Sequence, residues 1–241
     1  RNPEKGNRLK KQLLEESGRE ATMIVADLSS QADVKQAAEA FLSMEKPLDI
    51  LLNNAGIMNR ERNETIDGLE EVFSVNHLAY FTFTLLLAEK LKNTSGSRVV
   101  NVASSAHQFV KDMNFEDLQS EKTFRPMQVY GQSKLANILF TKSLSEKLSS
   151  FGVTVNCLHP GFVSTGIGSN NNQGLWPFLM FLARPFARKT DKGAETSIYL
   201  CCSSEVKDTT GEYFVDSKIE KVSEAAKDPK QAARLWEISE E

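Results

Sequence analysis

Apolar residues follow two rhythms along this chain. Short runs that are apolar on both faces read as buried strands: Thr22–Ala26 (TMIVA), the LDILL run ending before Asn53, Ser97–Val102 (SRVVNV), the VTVNCLH run ending at His159, and EYFV near the C-terminus. Between them lie longer stretches with helical spacing. Arg1–Arg19 is polar with Leu9, Leu13 and Leu14 on one face and Gly18 at its end. Ser30 precedes a helical pattern over Gln31–Met44, and Pro47 resets the chain. The segment from Glu64 to Lys92 reads as one long helix. Val129–Leu148, Lys192–Cys202 and the tail QAARLWEISE complete the set, and residues 105–127 read as a polar loop. Strands alternating with helices of this length predict a parallel sheet covered on both sides, an α/β fold in a single domain spanning 1–241. Ligands in such sheets bind beyond the carboxyl ends of the strands. Asp27, Asn53–Gly56, Ser104 and His159–Thr165 each follow a predicted strand.

Composition narrows the function. The 241 residues carry a net charge of −3, so there is no basic surplus for phosphate backbones and nucleic acid is not expected as a partner. The three cysteines, Cys157, Cys201 and Cys202, form no CxxC, which fits reduced thiols in a reducing compartment. None of the three histidines is spaced as a metal ligand, no metal is expected, and no GxSxG supports a serine triad. The most apolar segment, Leu175–Ala187, contains Pro177 and Pro185. It reads as a core helix, a lid over an apolar pocket, or a membrane-surface patch.

The stretch YGQSK places Tyr130 and Lys134 at i and i+4, on one face of a helix. One reading is an amphipathic rim pair. The other is electrostatic: a cation about 4 Å from a phenol, at an effective dielectric of about 20, favours the phenolate by about 4 kcal/mol. That equals about three pKa units and would bring a tyrosine toward neutrality, where a general acid/base works best. Ser104, in NVASS after a strand, either caps a helix or donates a hydrogen bond to a carbonyl oxygen as charge develops there. NNAG (Asn53–Gly56) ends in a glycine that lets backbone approach a flat ligand. His159–Thr165 (HPGFVST) is a strand end followed by a hydroxyl.

Taken together and in this order, NNAG, the serine after a strand, YxxxK and the Pro-Gly turn resemble the short-chain dehydrogenase/reductase family. YGQSKLANILF, LDILLNNAGIM, VNHLAYF, the Ala-His after the serine, GAETSIYL and ARLWEISE resemble its retinol dehydrogenase-like branch. The resemblance implies a Rossmann-like doubly wound sheet and an oxidoreductase. It would use NADP(H) on an apolar alcohol or carbonyl such as a retinoid, a steroid or a fatty aldehyde. It implies Tyr130 as acid/base, Lys134 as the residue that lowers its pKa and holds the nicotinamide ribose, and Ser104 as the group that orients the substrate oxygen. Asn76 would support a proton relay. Arg1, Asp27, Leu28, Asn53, Ala55, Gly56, Pro160, Gly161, Val163 and Thr165 would line the cofactor, and the oxidised nicotinamide would add a second positive charge beside Tyr130. Two other readings are a non-catalytic relative acting as a binding or interaction protein, and a peripheral lipid-binding module using Trp176–Phe186.

Relatives of this type open with a strand and a glycine-rich turn that holds the pyrophosphate. No such turn occurs here, and Arg1 falls where the second strand would end. About forty residues, a strand–helix–strand unit, are expected to be missing. That would leave the runs TMIVA and LDILL with unpaired edges, and the chain would be poorly stable and bind NADP(H) weakly. The cytosolic face of the endoplasmic reticulum is the expected location if the missing part carries an anchor. The oligomeric state is not readable.

Overall fold

The computed structural model describes residues 2–161 and 190–241. Four strands, β1 (Ile50–Asn53), β2 (Arg98–Val102), β3 (Thr154–His159) and β4 (Tyr213–Val215), form a parallel sheet in chain order. A short β5 (Lys218–Ile219) turns back antiparallel on β4. The helices are α1 (Pro3–Ser17), α2 (Gln31–Leu42), α3 (Glu71–Phe73), α4 (Ala79–Leu86), α5 (Ala88–Lys92), α6 (Pro126–Leu148), α7 (Thr190–Cys202) and α8 (Pro229–Glu240).

The two faces of the sheet are covered by different helices, as runs apolar on both sides require. On one face Val99, Val155 and Cys157 meet α6, with Leu135, Leu139, Phe140 and Leu144 buried against them. On the other, Val100, Val102, Leu158 and Phe214 pack on Leu200 of α7. α8 lies behind α6, and its Trp236 stands edge-on to Phe81 at 5.0 Å and stacks on Phe140 at 5.9 Å. This is the covered parallel sheet that the hydrophobic pattern implies.

Three sequence expectations need correction. Thr22–Ala26 is extended but joins no ladder among the described residues. A strand needs a neighbour for its backbone groups, and with none there Ile24 and Val25 stay exposed. At β1, Ile50 and Leu52 are 39% and 41% exposed while Leu51 and Asn53 are buried, so only one face of this edge strand is covered. Second, the stretch from Glu64 to Lys92 is not one helix. Glu64 and Glu70 form an antiparallel bridge around a turn at Gly68, and helix begins only at Glu71. The buried Glu70 carboxylate caps that start by accepting from the Val72 and Phe73 N–H groups, at 2.9 and 2.7 Å. The path then passes through a π-helical turn at Ser74–Leu78, and α4 and α5 meet at Leu87. Third, the polar loop after Ser104 contains two 3₁₀ turns, Ser105–Phe109 and Phe115–Asp117, and buries Ala106, Val110 and Met113.

The rest of the pattern holds. α1 ends at Gly18, whose φ of +67° is the left-handed conformation that favours glycine, and Asn2 caps its start. None of α1 is buried, so Leu9, Leu13 and Leu14 form an exposed stripe. Among the described residues no helix is long and apolar enough to cross a membrane. The segment Leu175–Ala187, including Trp176–Phe186, lies outside the described residues.

Candidate active site

Tyr130 and Lys134 project from α6, whose start is set by Pro126 in the first turn. The helix packs on β2 and β3, and residues at the ends of β1 and β2 reach the same place. Lys134 is only 2% exposed, and its Nζ donates to the Val102 carbonyl at the end of β2, at 2.9 Å. That ammonium lies 5.6 Å from the Tyr130 ring centroid. Gly56, after β1, faces the same lysine. A Cβ built there would lie 3.5 Å from Lys134 Nζ and 3.5 Å from Asn76 Oδ1. Ser104 follows β2, is nearly buried, and hydrogen-bonds the Tyr130 phenol. Its Oγ also accepts from the Ala106 N–H at 3.2 Å, so it caps the 3₁₀ turn as well as facing the tyrosine. Capping and a place at the site are therefore not alternatives for Ser104, because one hydroxyl does both.

The electrostatics differ from the sequence expectation. Burial lowers the Lys134 ammonium to about 7. Burial raises the Tyr130 phenol above its usual 10, and the hydrogen bond from Ser104 pulls it partly back. The expected fall of about three units assumed a fully charged lysine about 4 Å from the hydroxyl. Here burial disfavours the charged form of both groups.

Asn76 sits in the π-helical turn, a feature that concentrates at functional positions because it re-aims a side chain within a helix. Its amide is fully engaged. Nδ2 donates to the Ile57 carbonyl at 2.9 Å and to Ser133 Oγ at 3.0 Å, while Oδ1 accepts from the Ile57 N–H at 2.8 Å. Ser133 in turn donates to the Tyr130 carbonyl at 2.8 Å. Asn76 thus ties the loop after β1 to the turn of α6 that carries Tyr130. Tyr80, one helical turn on, donates to the Ala55 carbonyl at 2.6 Å and fixes the same loop from the other side.

The cofactor-lining residues divide. Gly56 borders the lysine, and the carbonyl of Ala55 beside it accepts from Tyr80. The Asn53 side chain points inward, donating to Thr84 Oγ1 at 3.0 Å and Asn101 Oδ1 at 2.8 Å. Asn101 passes the chain on to Thr141 on α6, at 2.9 Å, so only the Asn53 backbone is left to face a ligand. Pro160 and Gly161 end β3 at the same edge, with Gly161 at φ +81°. Asp27 and Leu28 precede α2, where Asp27 Oδ1 accepts from the Ser29 N–H and hydroxyl. Arg1, Val163 and Thr165 lie outside the described residues. Ser133, Tyr80 and Asn101 escaped the sequence reading because hydroxyls and amides inside apolar helices and strands carry no spacing signal. Their partners are 25 to 57 positions away.

Gly131 shows how tightly this region is assembled. A Cβ there would lie 2.8 Å from the Ala106 carbonyl, a backbone atom that cannot swing away. Gly131→Ala is expected to cost about 1–3 kcal/mol by pushing α6 off the Ser104 turn. Urea denaturation checks this, and an unchanged midpoint would refute the close approach.

A phenol, a buried lysine and a hydroxyl thus lie together at the carboxyl edge of a parallel sheet. The sequence profile of the short chain dehydrogenase family matches residues 1–176. Mouse retinol dehydrogenase 12 is 43% identical over 213 residues, covering 88% of this chain and 66% of that protein. Human retinol dehydrogenase 11 is 36% identical over 240 residues, covering 99% of this chain and 74% of the relative. Against retinol dehydrogenases 12 and 14 of mouse, the chain spans 66% and 64% of their length. Among solved structures, an uncharacterized protein from Mycobacterium paratuberculosis superposes with a TM-score of 0.76 at 27% identity, covering 100% of this chain and 80% of the other. This chain belongs to the short chain dehydrogenase family, and within it is retinol dehydrogenase-like.

Proposed function

We propose that the chain is an NADP(H)-dependent oxidoreductase that interconverts an apolar alcohol and its carbonyl. The observation that carries this reading is the convergence of Tyr130, Lys134 and Ser104 on one point, with Gly56 opposite the lysine. The family uses nicotinamide cofactors, and the residues present fit the ribose end of one. Gly56 keeps the floor open beside Lys134, and the Val102 carbonyl takes only one of the three ammonium protons.

When bound, the cofactor supplies or accepts the hydride. The protein orients the partner and moves the proton. Ser104 Oγ accepts from the Ala106 N–H, which leaves its own proton for the phenol or a substrate oxygen. Tyr130 gives the proton to a carbonyl oxygen or takes it from an alcohol. Lys134 holds ribose hydroxyls and, when protonated, favours the phenolate. Asn76 keeps the loop after β1 in register with α6 and so supports the path by which the proton returns to solvent. Asn53, through its backbone, Ala55, Gly56, Pro160 and Gly161 line the nicotinamide half. Asp27 and Leu28 serve the adenosine half, and Arg1, Val163 and Thr165 complete the set.

Apolar substrates of retinoid, steroid or fatty-aldehyde type follow from the kinship with retinol dehydrogenases. The free thiols Cys157, Cys201 and Cys202 accord with a reducing compartment, cytoplasmic or on the cytosolic face of a membrane, and any peripheral membrane contact would fall to Leu175–Ala187. The test is NADPH oxidation followed at 340 nm with retinal and a long-chain aldehyde, beside a fluorescence titration of NADPH. Turnover that depends on both reagents is expected. Absence of binding and turnover would defeat the reading.

A further inference from the structure

We propose that His107 is a positioning residue that holds Ser104 against Tyr130, with its ring clamped between the Ser104 carbonyl and the Ser223 amide. The inference rests on the reading of Ser104 and Tyr130 given above and adds a residue that touches neither substrate nor cofactor.

The ring is fully buried, and both nitrogens are used. Nδ1 lies 2.7 Å from the Ser104 carbonyl, which can only accept, so Nδ1 carries the proton. Nε2 is then the acceptor and receives the Ser223 N–H at 3.3 Å. These two bonds select one neutral tautomer. The backbone N–H of His107 also reaches the Ser104 carbonyl, at 3.3 Å, so one residue grips that carbonyl twice.

The surroundings convert this grip into placement. The ring meets Tyr213 of β4 edge-on at 5.2 Å, so it is braced by the sheet. Across the turn, the Ala106 carbonyl abuts Gly131 of α6, the residue next to Tyr130. The Ser104 turn is therefore fixed by α6 on one side and by β4 and the Ser223 segment on the other. Ser104 has extended backbone at φ −165° and ψ 156°, and its hydroxyl direction follows from where its carbonyl is held. Burial lowers the His107 imidazole below its ordinary range, which keeps the ring in the neutral form that this arrangement needs.

Two substitutions separate the two bonds. Asn at 107 can keep a donor near the Nδ1 position and loses the acceptor. Gln at 107 can keep an acceptor near Nε2 and loses the donor. Each is introduced into protein carrying fluorotyrosine, whose lower phenol pKa brings the titration into a range the fold tolerates. Tyr130 is followed by ¹⁹F NMR, with Tyr130→Phe assigning its signal.

His107→Gln is expected to raise the Tyr130 pKa by about half a unit or more and to lower kcat about tenfold at nearly unchanged KM. His107→Asn is expected to stay within about twofold of the parent in kcat and to leave the phenol where it was. Equal effects of the two, or no shift in either, would overturn the proposal, because a purely structural ring predicts no preference for the donor. Long-range ¹H–¹⁵N correlation on the unaltered protein tests the tautomer without any variant: a proton on Nε2 instead of Nδ1 also overturns the proposal. Turnover retained in both Tyr130→Phe and Ser104→Ala would defeat the functional reading instead, and the ¹⁹F comparison would still judge His107.

Discussion

Tyr130→Phe is expected to lower the rate of hydride transfer by about a thousandfold or more while leaving the melting temperature within a few degrees. Proton transfer by a placed side chain contributes about 10²–10⁴ to a rate, and phenylalanine removes the phenolic proton. The ring itself is kept, and with it the apolar contact against the lysine stem. The lost hydrogen bond is the one from Ser104, whose Oγ continues to cap the 3₁₀ turn. Single-turnover kinetics with NADPH and retinal, beside a thermal melt, separate the two effects. Retention of more than about a tenth of the rate would move the acid/base role elsewhere.

Acid is expected to unfold the chain well before its carboxylates are all protonated. His77 is wholly buried among Phe73, Phe81 and Phe140, with Nε2 2.9 Å from Ser239 Oγ. Burial lowers its pKa from 6.5 to about 3, opposed only by the neighbouring Asn137 side chain. Between those values the unfolded chain binds a proton that the folded chain refuses. Stability is therefore complete above pH 6.5 and drains as pH falls toward 3, by up to about 1.4 kcal/mol per unit and about 5 kcal/mol in all. His107, lowered in the same sense, adds to the loss. Urea midpoints measured from pH 7 to pH 4 should fall steeply, and His77→Phe should flatten the curve although it perturbs the packing. Parallel curves for the two proteins would exclude His77 as the cause.

Much of this was legible in the sequence. The runs at Ser97–Val102 and Val153–His159 are apolar on both faces and lie in a covered parallel sheet, whereas the run at Leu48–Leu52 lies at its edge with one face covered. YGQSK gave the pair on α6, and a strand before NVASS placed Ser104 at the sheet edge. TMIVA misled for a physical reason: a β-like composition states what a segment tolerates, and pairing is decided by a neighbour. The stretch from Glu64 misled because its helical spacing is real, yet the Glu70 carboxylate and the turn at Gly68 decide where helix begins. Burial opposes the expected fall in the Tyr130 pKa, because sequence supplies a charge without its burial. The role of His107 gave no signal in the sequence for a related reason, since its partners are a backbone carbonyl and a distant amide.

The π turn at Ser74–Leu78 sets a phase. Five residues close a ring that four would close elsewhere, so the polypeptide from Ala79 onward is advanced by one residue, about 100° of rotation, relative to an unbroken spiral. Asn76 is read in one frame and Tyr80 in the next, yet both grip the loop that follows β1. A single deletion inside this stretch would conserve every apolar residue beyond it and still turn Tyr80, Phe81 and Thr84 onto the wrong faces. Chain length here is thus as stringent a constraint as side-chain identity, and insertions or deletions should be far less tolerated between Phe73 and Ala79 than in the loop at Gly68.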